Sequence, residues 1–283
     1  MIFKFNKVYI IESLPEGQMK TGKYLYEDFF HHNDINNEYG FEYQTVKNVD
    51  GLKIFLEIIY SEVINKKVYP IIHIEMHGGE DGIELSNGDI IEWRELALLL
   101  QKINIELKNK LVVIFAFCYG IHFLSVFYDF ITSRTPFAGL ITSADYVMAG
   151  EIRDGFLQFY RKIFETRNGN DALKGLNDFI HEEDRKYSFL SCRWLFKEAF
   201  IKYLKLCSAK ERTQRTERII TKIKKTNPNA EITKTRKEIK QYLHKNNQRE
   251  YFTAARNNFL MYDLDESNKA LFNINYQEVM NEI

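Results

Sequence analysis

Long hydrophobic runs are missing from this 283-residue chain: even Leu111 to Cys118 stops far short of the roughly 20 apolar residues that cross a bilayer as a helix. A transmembrane helix is therefore not expected. The first residues, Met1-Ile2-Phe3-Lys4-Phe5-Asn6-Lys7, lead into a short apolar run, Val8 to Ile11, that Glu12 ends. This start has neither the apolar region nor the small-residue cleavage site of a signal peptide, so it reads as a first strand of a soluble protein. Cysteine is scarce. Cys118, Cys192 and Cys207 are too few and too scattered for a disulfide framework, and their odd number fits a reducing, cytoplasmic setting. Neither G-x-G-x-x-G nor a P-loop follows any candidate strand, which argues against the usual nucleotide-binding α/β proteins. The chain has no internal repeat and no long low-complexity tract.

What is present suffices for a full core: 45% of residues are hydrophobic and 28% charged, at a length that fits one large domain or one plus a small appendage. The formal net charge is zero but unevenly spread. Residues 201–250 hold 15 Lys and Arg against 5 Asp and Glu, whereas the first 200 residues hold 22 against 29. The two parts are expected to do different things, with an α/β domain over 1–205 and a basic helical region over 206–283.

Apolar runs alternate with amphipathic stretches through the first 150 residues, the pattern of a parallel sheet wrapped by helices. Strands are predicted at Lys7 to Glu12, Phe41 to Val46, Val68 to Met76, Leu111 to Phe117 and Ala138 to Ser143. Helices are predicted at Tyr24 to His32, Gly51 to Ile64 and Trp93 to Leu107, the last two from stripes such as Leu52, Phe55, Ile59 and Val63 at helical spacing. Leu111 to Phe117 is apolar at every position, which predicts a central strand covered on both faces. Beyond Met148 the pattern turns helical, through the stripes Ile152, Phe156, Phe159, Ile163 and Leu173, Leu176, Ile180. After Lys205 a basic helical stretch is broken at Asn227-Pro228-Asn229 and resumes to about Lys245.

Two predicted strands end in reactive residues. Ile71 to Met76 runs into His77-Gly78-Gly79, and Leu111 to Phe117 into Cys118-Tyr119-Gly120. The 41 residues between His77 and Cys118 hold a loop, the helix Trp93 to Leu107 and a return turn, an ordinary crossover between parallel strands. On adjacent strands the two side chains flank one peptide bond at the edge where open α/β sheets bind ligands. A Cys118 thiolate serves as nucleophile, His77 protonates the leaving amine, and the N–H groups of Gly78 and Cys118 meet the oxyanion.

Ile72 to Gly82 (IHIEMHGGEDG) and Val112 to Gly120 (VVIFAFCYG) resemble the histidine and cysteine blocks of the clan CD cysteine peptidases: caspases, metacaspases, gingipain-like and separase-like enzymes and the bacterial CHAT group. Gly120 matches the caspase signature Q-A-C-[RQG]-G. Phe117 and Tyr119 depart from it, which argues against an animal-type caspase with aspartate specificity. The resemblance spans residues 1 to about 205 as a pattern and is specific only in the two blocks. It implies an α/β, three-layer caspase-like (caspase-hemoglobinase) fold with a mainly parallel sheet, followed here by a helical extension. It further implies an endopeptidase with a His77/Cys118 dyad, no cofactor, and a protein or peptide substrate. Bacterial members often act as regulated effectors in antiphage or cell-death signalling, switched on by a partner protein or a signalling nucleotide. The Lys-, Asn- and Ile-rich composition looks bacterial.

Three residues are candidates for substrate contact. Asp145 follows the fifth strand and either favours Lys or Arg in the substrate or caps a turn. Glu75 alternates with His73 and His77 along one strand face and is a candidate to orient the His77 imidazole. Trp194 is either core or the wall of a groove. His122, four residues after Cys118, has no second cysteine beside it, so no metal site is expected. The basic stretch contains only Tyr203 and Tyr242 as aromatics, which argues against nucleic acid. The competing function is a catalytically silent sensor or adaptor that binds a partner or anionic ligand through this region.

Overall fold

The computed structural model describes residues 4–30, 38–128, 131–183, 186–207, 209–227, 231–244 and 247–283. Two compact units emerge, one of Met1–Val126 with Thr135–Cys192, the other of Phe127–Arg134 with Arg193–Ile283. The predicted helix end at His31-His32 and the predicted breakers Pro228 and Asn229 lie outside the described residues.

The first unit is α/β. Its six-stranded sheet runs β2 (Gly40–Thr45), β1 (Lys7–Glu12), β3 (Pro70–Glu75), β7 (Val112–Phe115), β8 (Gly139–Ser143) and β9 (Tyr187–Ser191). The first five are parallel, and β9 pairs antiparallel with β8. Every residue of β3 and β7 is buried, as expected of central strands with helices over both faces. β9 was not predicted.

Side-chain alternation assigns the faces. Val8, Ile10, Ile71 and Ile114 join a core with Phe156 and Tyr160 of α4 (Ala149–Thr166), backed by α5 (Gly169–Asn177) and by α1 (Thr21–Leu25), which continues as a π-helical turn over Tyr26–Phe30. On the other face Tyr9 meets Phe55 of α2 (Val49–Lys66), and Phe115 meets Trp93 of α3 (Trp93–Glu106). Asn48 caps α2 by accepting from Gly51 N at 2.9 Å, and Lys67 ends it in the left-handed region.

Between β3 and α3, where only a loop was predicted, the chain builds a small antiparallel sheet of β4 (His77–Gly78), β5 (Gly82–Glu84) and β6 (Ile90–Glu92). This sheet holds the histidine block in place. In the second unit the chain is helical: α6 (Cys192–Lys205), α7 (Ala209–Thr226), α8 (Ile232–Tyr242) and α9 (Arg249–Phe259), followed by shorter helices. Phe196, Phe200, Phe252 and Phe259 pack at its centre.

Candidate active site

The registers of the central strands bring the two reactive blocks together. Ile71 pairs with Val112 and Ile74 with Phe115, an offset of 41. His77 and Cys118 differ by the same 41, and each follows the carboxyl end of its strand, β3 or β7. The last bond between the two strands is Ala116 N to Ile74 O at 2.9 Å. Beyond it both His77 and Cys118 line a cavity of about 250 Å3.

Glycine is required at two points. A Cβ on Gly78 would stand 2.1 Å from the Cys118 carbonyl oxygen and 2.6 Å from the Phe117 ring, so the histidine block can lie directly on the cysteine block only without a side chain there. A Cβ on Gly120 would stand 2.2 Å from Thr142 Oγ1, which fits the turn after the cysteine against β8. Between them Tyr119 takes a positive φ of 58°, and its N–H donates to the Asp145 carbonyl at 3.2 Å. Just after Gly78, Gly79 N donates to Gly82 O at 2.9 Å. The alternation of an antiparallel ladder then turns the neighbouring Gly78 N–H away from β5.

The Cys118 thiol is half-buried. Its sulfur accepts from Val147 N at 3.3 Å and donates to Val147 O at 3.6 Å. The His77 ring is exposed, and its Nε2 pairs with Gln18 Oε1 at 2.9 Å. Gln18 sits in the loop after β1, 59 residues upstream of His77. No motif marked it in the sequence.

Glu75 lines the cavity, but it pairs with His73 and not with His77, contrary to the role that strand alternation suggested. β3 ends at Glu75, and His77 belongs to β4, so the alternation is lost between them. The Glu75 carboxylate instead pairs with His73 Nε2 at 2.9 Å and accepts the Thr21 hydroxyl proton. His73, fully buried, also pairs through Nδ1 with the Tyr160 hydroxyl at 3.1 Å. Directly across the β1/β3 ladder from Glu75 lies Glu12, buried, which accepts from Gly22 N at 2.9 Å and from the Tyr43 hydroxyl at 2.7 Å. Burial pushes the Glu12 carboxyl above its ordinary range, and the Glu75 charge pushes the same way against the Tyr43 hydrogen bond. Burial likewise holds the Tyr160 and Tyr187 hydroxyls well above the usual tyrosine range.

Asp145 accepts from Tyr146 N at 2.6 Å through Oδ1, which is the turn-capping role. Its neighbours Tyr146 and Val147 line the cavity. Trp194 belongs to α6 in the second unit. Among the described residues no group of three or more His, Cys, Asp or Glu is arranged to hold a metal, and no helix is long and apolar enough to cross a membrane. No protein-family model matches the chain, and no curated protein matches it.

Proposed function

We propose that the chain is a caspase-like cysteine endopeptidase of clan CD, with a His77/Cys118 dyad at the edge of a three-layer domain. The observation that carries this is the common offset: 41 residues separate the paired positions of β3 and β7 and also the two reactive side chains, which line one cavity. The Cys118 thiolate adds to the carbonyl carbon of the scissile peptide, and the N–H groups of Gly78 and Cys118 take the oxyanion. The carbon–nitrogen bond then breaks as His77 gives its proton to the leaving amine. Water, deprotonated by His77, adds to the resulting thioester, and the thiolate departs from the new carboxyl group. The wider role, a regulated effector in antiphage or cell-death signalling, follows from the resemblance of the two blocks.

Glu75 supplies the selectivity. Glu75 lines the cavity, with its carboxylate held by His73 Nε2 and the Thr21 hydroxyl, whereas Asp145 holds Tyr146 N through Oδ1. A carboxylate at the cavity pairs with a Lys or Arg side chain in the residue before the cleaved bond. Profiling a peptide library with the purified chain tests both points. Expected are cleavage after Lys or Arg, its loss in Cys118→Ala, and about a tenfold weaker preference for basic residues in Glu75→Gln. Absence of cleavage removes the peptidase and leaves a silent adaptor; cleavage that persists in Cys118→Ala removes Cys118 as the nucleophile.

A further inference from the structure

The second unit contains a cavity of opposite chemistry. On α9, Arg249, Phe252, Thr253 and Arg256 follow one another at offsets of three, four and seven residues, which places all four on one helix face. That face and residues 275–277 enclose about 470 Å3, within the range of small-molecule sites. Phe252 is buried against Phe196, Phe200 and Tyr276 and forms the floor.

Arg256 is fixed there without being neutralised. Its guanidinium lies over the Phe252 and Tyr262 rings, donates to the Ile274 carbonyl at 3.0 Å, and donates twice to Asn257 Oδ1, at 3.2 and 3.0 Å. These acceptors are uncharged, and an arginine has about five N–H groups, so donors remain for a ligand. Arg249 is exposed and makes no ion pair among the described residues. No Asp or Glu lines the cavity. Glu250 is exposed outside it, and Glu278 is held by Arg193 at 2.6 Å. Asn275 spends its amide oxygen on Glu278 N at 2.9 Å, which leaves its NH2 as a further donor. The cavity therefore presents positive charge and hydrogen-bond donors around an aromatic floor.

We propose that this cavity binds the phosphate group of a small phosphorylated molecule, with Arg249 and Arg256 pairing with its oxygens. Seven helical residues separate the two arginines by about 10.5 Å along the axis, a span that two arginine side chains close around one tetrahedral anion. The volume exceeds that of the phosphate alone and leaves room for the organic group it is attached to.

Calorimetric titration of the full chain with inorganic phosphate, AMP and adenosine in phosphate-free buffer tests this without reference to peptide cleavage. Phosphate and AMP are expected to bind at one site and adenosine not to bind. Arg249→Gln and Arg256→Gln are each expected to weaken AMP by about tenfold or more, while Lys234→Gln, an exposed cation on α8 outside the cavity, changes it by less than about twofold. Arg256→Gln also loses the bond to Ile274 and is read only if it melts cooperatively. Arg249→Gln loses no internal bond and decides the matter alone. Absence of AMP and phosphate binding, an unchanged affinity in Arg249→Gln, or an equal loss in Lys234→Gln overturns the proposal.

Discussion

The two cavities are assembled by different rules. His77 and Cys118 share a cavity at the sheet edge because two strands distant in sequence are neighbours with matched register. Arg249 and Arg256 face one cavity because seven residues make two turns of a single helix. The first arrangement depends on the close backbone approach at Gly78, where an added Cβ would stand 2.1 Å from the Cys118 carbonyl oxygen. The second depends on long side chains over a hydrophobic floor and tolerates small backbone movements. Chemistry set by sheet register should therefore be the more fragile of the two.

The comparison can be broken most severely at the dyad. His77→Ala is expected to lower kcat/KM by about 10² to 10⁴ and Cys118→Ala to abolish turnover, with melting temperatures near that of the parent because neither side chain is buried core. Next comes Gly78→Ala. Its methyl group must displace the Cys118 carbonyl, so both peptidase activity and melting temperature should fall, whereas Thr253→Ala, at an exposed position of α9, should leave melting unchanged. A fully active Gly78→Ala enzyme would show that the close approach is not needed.

Gln18 gives a smaller effect. It positions His77 through a 2.9 Å bond, so Gln18→Ala should lower kcat by about tenfold, leave KM nearly unchanged and shift the pH profile of kcat; Gln18→Asn should recover only part of it. A change confined to KM would give Gln18 to the substrate instead.

The smallest effect concerns the buried carboxylates behind the cavity. Because the Glu12 pKa is raised in the fold above its ordinary 4.5, the folded state keeps this proton to higher pH than the unfolded chain does. The associated stability is full below about 4.5 and is lost as pH rises through the raised value. Glu12→Gln should therefore gain melting temperature relative to the parent as pH rises from 4.5 toward neutrality, and lose that advantage in acid. Parallel melting curves across that range would contradict the raised pKa.

The parts legible in the sequence were those written in hydrophobic periodicity. β1 spans Lys7–Glu12 as predicted, β3, β7 and β8 begin and end within two residues of their predicted limits, and α3 starts at Trp93. β9 escaped because Tyr187–Ser191 is a short edge strand with mixed burial and an antiparallel partner. The β4–β6 sheet escaped because strands of two and three residues are too short to show a period. The same cause explains Glu75. Alternation was carried through Met76 as though one strand continued, whereas a new strand with a new phase begins at His77. Gln18 and the far wall of the α9 cavity, residues 275–277, depend on segments meeting across loops, which no local pattern records.

The most direct measurement is covalent capture. The purified chain is incubated with a lysyl peptide bearing an electrophilic ketone, and the adduct is located by mass spectrometry of the intact chain and its fragments. The expected result is one adduct per chain at Cys118, formed much more slowly in His77→Ala, while Cys192 and Cys207, both buried, remain unmodified; burial also pushes the Cys207 thiol up. Labelling of all three cysteines at similar rates, or of Cys118 at an equal rate in His77→Ala, would contradict the dyad.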